Sequence, residues 1–120
     1  MYLYNIERKM SKYTDVYIGY IDDKNTFTKR KKKCIDNVLL DRIYTFFKEF
    51  CIIQYGAVDE FHNCKLCDKI YTNIEYIYYD GLTRYIFPVY LYHYIKTHDI
   101  EIDKNLISLI KIIYKLDYIN

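Results

Sequence analysis

The sequence predicts an α+β fold: an N-terminal β-hairpin and a long helix, then a ββα unit and a C-terminal helix. Three patterns predict it. Near the start, Tyr2, Tyr4 and Ile6, then Tyr13, Val16, Ile18 and Tyr20, alternate loosely and are residue types that favour strands. Next, Ile35, Val38, Leu39, Ile43, Phe46, Phe47, Phe50 and Ile53 recur at three- and four-residue steps, the period of one helix face. Further on, Asp80-Gly81 separates two runs rich in Tyr and Ile, a hairpin signal because Gly tolerates positive φ.

In order, the expected elements are strands at about 1–8 and 14–21 forming a hairpin, then a turn at Asp22–Asn25. A basic connector follows, then a helix over about 35–54 that stops at Gly56. Residues 57–69 carry a tight turn with two cysteines. Ile70–Tyr79 and Arg84–Phe87 read as strands, and Pro88 fits the first turn of a helix reaching about Thr97, where its missing N–H costs nothing. The last helix spans about 104–117. Asp103 is its cap, Ile102 and Ile107 are placed for a hydrophobic staple, and Leu106, Ile110 and Ile113 form its stripe. The 120 residues are read as one domain, with 1–60 the hairpin and helix and 61–120 the metal-binding unit and closing helix.

Composition narrows the function classes. Hydrophobic residues make up 52% of the chain, enough for a core. There are 17 Tyr, 19 Ile and 14 Lys but a single Ala, a bias of A/T-rich codons that weakens any functional reading of the Tyr count. Net charge is +2, far from the basic excess of a typical nucleic-acid binder. One local cluster departs from this balance: Lys29, Arg30, Lys31, Lys32 and Lys33. The longest apolar run, 85–95, falls short of the roughly 20 residues that span a bilayer, and no secretory signal opens the chain. The expected setting is intracellular, in cytoplasm, nucleus or a virion, with no membrane association. Four Cys in a reducing compartment read as thiols or metal ligands.

Four residues form a metal-ligand pattern. Cys64-x-x-Cys67 presents two sulfurs from one turn, and His93-x4-His98 presents two nitrogens from the end of a helix. Structural zinc takes four such ligands in a tetrahedron, the thiols binding as thiolates. Twenty-five residues separate Cys67 from His93, about twice the spacing in the short DNA-reading finger. His93 and His98 point roughly 140° apart on an ideal helix, so the helix must tighten or end near 96–98 for both to reach one ion. His62, two residues before Cys64, competes as a ligand or is a surface loop residue. Cys34 and Cys51 are expected at opposite ends of the long helix, too far apart to share a site, with Cys51 packing.

The stretch from Asp80-Gly81 through Arg84-Tyr85, Phe87-Pro88 and His93-Tyr94-Ile95 to His98, with Cys64-x-x-Cys67 upstream, resembles small two-Cys/two-His zinc-finger-like proteins of an uncharacterised bacterial and giant-virus type. The resemblance covers about 64–106. It implies the same four ligands and carries no established activity.

These readings favour a non-catalytic, zinc-stabilised interaction module that binds a protein partner or assembles with itself. The alternative is a nucleic-acid-binding protein using Lys29–Lys33. The sequence holds no His-Glu-x-x-His helix, Gly-rich phosphate loop or nucleophile elbow, and its Cys pair lacks the deaminase context, so it is not read as an enzyme.

Overall fold

The computed structural model describes residues 12–20, 37–55 and 61–116. The expected strand at 1–8, the turn at Asp22–Asn25, the basic cluster Lys29–Lys33, Cys34, Ile35 and the stop at Gly56 lie outside these residues. In chain order the described elements are β1 (Thr14–Tyr17), α1 (Asn37–Thr45), β2 (Ile52–Tyr55), β3 (His62–Asn63), β4 (Ile70–Tyr71), β5 (Ile74–Asp80), β6 (Thr83–Pro88), α2 (Leu91–Thr97) and α3 (Lys104–Tyr114). The chain is thus a mixture of helices and strands.

The centre of the structure is the β5–β6 hairpin, paired in register from Glu75↔Pro88 to Asp80↔Thr83. Its turn is Gly81-Leu82. Gly81 has φ +61 while Leu82 does not enter the left-handed region, the pattern of a type II′ hairpin. β2 pairs antiparallel with β5, and β1 pairs parallel with β6, giving the order β1-β6-β5-β2. Both halves of the chain therefore contribute to one sheet. The parallel register is marked by a bidentate ion pair between directly opposed residues. Arg84 Nε and Nη2 donate to Asp15 Oδ1 and Oδ2 at 2.7 and 2.8 Å. That pairing holds the Asp15 carboxyl below its usual range.

The sheet is apolar on both faces. On one, Tyr76 and Phe87 stand opposite each other and meet the helices. Phe47 stacks on Tyr76 with centroids 4.9 Å apart and meets Phe87 edge-on at 5.2 Å, while Phe46 meets Phe87 edge-on at 5.6 Å. Leu39 and Ile43 of α1, Leu91 and Ile95 of α2, and Leu106, Leu109 and Ile110 of α3 complete this core. On the opposite face, Ile77 and Ile86 are paired neighbours and both buried.

Four expectations are corrected. The long helix does not reach Gln54. After Thr45 it widens into a π-helical turn over Phe46–Phe50, and Cys51 is extended at φ −104, ψ 146. The widened turn lets consecutive Phe46 and Phe47 both face the core, and Ile52–Tyr55 then join the sheet, where β-branched and aromatic side chains pack well. Val38, Phe50 and Ile53, expected on the buried face, are exposed. Cys51 sits past the helix end rather than on it; it packs against the core, and burial pushes its thiol up to about 12. Pro88 ends β6 instead of opening α2. The next N–H, of Val89, donates to Ile74 O at 3.0 Å and extends the strand pairing by one bond.

α3 starts as its cap residue dictates, with Asp103 Oδ1 accepting from Asn105 N–H at 2.7 Å. It ends at Tyr114, before the expected 117, with Lys115 left-handed at φ 56.

Gly19 follows β1 with φ +87, and a Cβ there would lie 2.5 Å from Leu91 Cδ2. At Gly81 a Cβ meets nothing within 4 Å. Gly19→Ala is therefore expected to cost roughly 2 kcal/mol or more, from left-handed strain plus overpacking against α2. Gly81→Ala is expected to cost only about 1–2 kcal/mol, from the backbone alone. Urea unfolding of the two variants side by side checks the difference.

Candidate metal centre

β3 and β4 form a two-residue-per-strand hairpin that carries the cysteine turn. Cys64 N–H donates to Lys69 O at 2.8 Å, closing the loop, and Leu66 N–H points at Cys64 Sγ at 3.4 Å. Cys64 is buried and Cys67 exposed.

The histidines come from α2 and its cap. The helix ends at Thr97, and His98 is the cap residue at φ −110, ψ 6. Tyr94 O accepts from both His98 N–H, at 3.1 Å, and Ile100 N–H, at 3.2 Å, so the chain folds back around one carbonyl. Asp99 sits between them in the left-handed region at φ 56, which Asp tolerates better than most residues. This break brings His98 round to the side of His93; the two rings lie 4.9 Å apart.

The four side chains converge. Cys64 Sγ lies 3.3 Å from His98 Nε2, and Cys67 Sγ lies 3.3 Å from His93 Nε2. One ligand atom from each residue falls within 4.8 Å of all the others. Around a tetrahedral zinc, neighbouring S and N donors stand about 3.5 Å apart, so the observed sulfur–nitrogen pairs fit the size of an ion. His93 is held below its ordinary value by burial first, then by the nearby His98 and Lys69. A lowered value favours neutral imidazole, the ligating form. These residues define a Cys2His2 group that can hold a metal ion, the one group of three or more such donors among the described residues.

His62 is not part of that group. It lies in β3, half-buried, with its ring stacked on Tyr90 at 3.7 Å and its Nε2 2.8 Å from Tyr94 Oη. The reading of His62 as a surface loop residue is corrected accordingly: its partner is a hydroxyl. Sequence reasoning also missed Tyr94. Its side chain is fully buried, and its Oη accepts from Lys65 N–H at 2.8 Å, inside the cysteine turn. Burial above all, with the Cys64 sulfur beside it, keeps this hydroxyl protonated well above its ordinary range, against the opposing pull of Lys65 N–H. Its place between the two histidines was visible in the sequence, but nothing there distinguished it from the other Tyr residues. No protein-family model matches the chain, and no curated protein or solved structure matches it.

Tyr94→Phe keeps the ring and removes the acceptor for Lys65 N–H and the partner of His62. The expected cost is about 1–3 kcal/mol of stability. Affinity for a divalent metal is expected to fall roughly 10–100-fold, as it does when groups that orient metal ligands are lost. Competition against a chromophoric chelator, beside a thermal melt, reads both.

Proposed function

We propose that this chain is a non-catalytic interaction module whose C-terminal half is tied together by one structural zinc ion. The observation that carries the reading is the mutual approach of Cys64, Cys67, His93 and His98 within 4.8 Å. Two thiolates and two imidazoles are a complete tetrahedral set for zinc, and a complete set leaves no position for water or substrate. Soft sulfur with imidazole also selects zinc over magnesium or calcium, which take oxygen. Reduced thiols imply an intracellular setting.

Zinc here has a local task. β3 and β4 are two residues each, and their hairpin has little core of its own. The small cluster of Cys64, Tyr90, Tyr94 and Ile100 packs beneath it, with Tyr71 against its side. An ion joining both cysteines to both histidines would fasten this hairpin to α2. The wider core of α1, α2, α3 and the sheet stands apart from it.

The interaction surface in this reading is β2, the terminal strand of the described sheet. Ile52, Ile53 and Tyr55 are 57%, 59% and 77% exposed, an unusual load for a strand edge in a monomer. A second copy can add its own β2 across a two-fold axis, extending the sheet by main-chain hydrogen bonds. Helices long and apolar enough to cross a membrane are absent among the described residues.

Native mass spectrometry is expected to find about one zinc per chain. Cys64→Ser and His98→Ala are each expected to lose it, together with about 3 kcal/mol or more of stability, since structural zinc contributes folding energy directly. A wild-type protein free of zinc and equally stable overturns the reading. For the edge strand, Ile53→Lys is expected to convert the assembled form to monomer in sedimentation analysis, without loss of zinc.

A further inference from the structure

Beside the metal centre, with His93 and Tyr71 in its wall, a cleft of about 300 Å³ opens among α1, the π-helical turn that follows it, β5 and α2. Its volume lies at the small end of the range for small-molecule sites. Tyr44, Phe47, Tyr76 and Tyr92 supply aromatic walls, and Lys48 and Lys96 supply the charge. No carboxylate lines it.

The two ammonium groups are held on aromatic surfaces. Lys48 Nζ donates to Tyr76 Oη at 3.2 Å and stands 5.6 and 5.7 Å from the Tyr44 and Tyr76 ring centroids. Lys96 Nζ stands 6.0 Å from the Tyr92 centroid. Neither has a carboxylate partner among the described residues. Tyr44 and Tyr92 face each other across the helices, centroids 5.5 Å apart and tilted by 56°. Asp41 adds to burial in raising the Tyr92 hydroxyl. The cleft thus sets the exposed Tyr44 ring and the half-buried Tyr92 ring beside two ammonium groups that have no carboxylate partner among the described residues, over a floor of the buried Phe47 and Tyr76.

We propose that this cleft binds a nucleotide unit, with its base stacked on the tyrosine rings and its phosphate held by Lys48 and Lys96. Stacking on aromatic faces is available to every base, and lysine meets a phosphate as a point charge. A purely apolar ligand would leave two ammonium groups desolvated and unpaired, and a bare anion would leave the aromatic walls unused. The chemistry is shared by a free mononucleotide and by one residue of a single strand. The proposal goes beyond the interaction module described above and does not depend on self-association.

The test is isothermal titration of the zinc-loaded full chain with adenosine monophosphate and, separately, with a short oligodeoxythymidine, at low and at high salt. Inorganic phosphate is the competitor. Binding of at least one probe that weakens with salt is expected. Lys48→Gln combined with Lys96→Gln is expected to lower affinity by about tenfold or more, and Tyr44→Leu by about tenfold. These three residues are exposed or nearly so, and their variants are expected to keep wild-type zinc content and melting temperature. Lys104→Gln, at the exposed start of α3, is expected to change nothing. Binding of the mononucleotide identifies a free-nucleotide site; binding of the oligonucleotide alone identifies a single-strand site. The proposal is overturned if neither probe binds, if the cleft variants bind as wild type does, if Lys104→Gln weakens binding equally, or if inorganic phosphate displaces the probe as readily as unlabelled nucleotide.

Discussion

Tyr94 is bound from both ends. Its hydroxyl accepts the Lys65 N–H and meets His62, which fixes the cysteine turn. Its carbonyl accepts the His98 and Ile100 N–H groups, which ends α2 and turns the second histidine inward. A single buried residue thereby relates the two cysteines to the two histidines before any ion is considered. The arrangement follows from a simple requirement. Polar groups buried with Tyr94 must be paired, and the partners within reach are the backbone atoms of the turn and the helix end. Loss of either half would leave a ligand pair correctly made but wrongly aimed.

The metal centre and the main core are consequently two neighbouring systems that share α2. One face of that helix, through Leu91 and Ile95, belongs to the large core, and another, through Tyr90 and Tyr94, belongs to the small cluster under the cysteines. His93 and Tyr92 lie between those faces and look onto the tyrosine-lined cleft. A helix of seven residues therefore carries His93, leads into His98, and supplies part of the core and a wall of the cleft. Its short length is possible because its end is fastened by Tyr94 O rather than by further turns.

What was legible in the sequence was local. The Cys-x-x-Cys spacing, the Asp-Gly hairpin and the Asp103 cap depend on residues close together, and the need for a break near His98 followed from helix geometry alone. What was hidden depends on distant partners. The apolar period of α1 runs on through Phe50 and Ile53, and only the availability of β5 as a pairing edge turns Ile52–Tyr55 into a strand. Pro88 reads as a helix start until Glu75 is seen opposite it. Asp15 and Arg84, 69 residues apart, carry no sign that they will meet. Tyr94 stood unmarked among 17 tyrosines because its role lies in where its hydroxyl ends up.

The strand order has a consequence for how the molecule is made. β1 and β2, the outer strands, are encoded first, and the hairpin between them comes later in the chain. During synthesis, at about 5–20 residues per second, the first half emerges with β1 and β2 while β6 and β5, their partners among the described strands, have not been built. Phe46 and Phe47 likewise wait for Tyr76 and Phe87 to cover them. The described sheet can be completed only once its two middle strands have been translated. For some seconds a nascent chain of this kind carries the apolar Ile52–Tyr55 segment while β5, the strand that will pair with it, has yet to emerge.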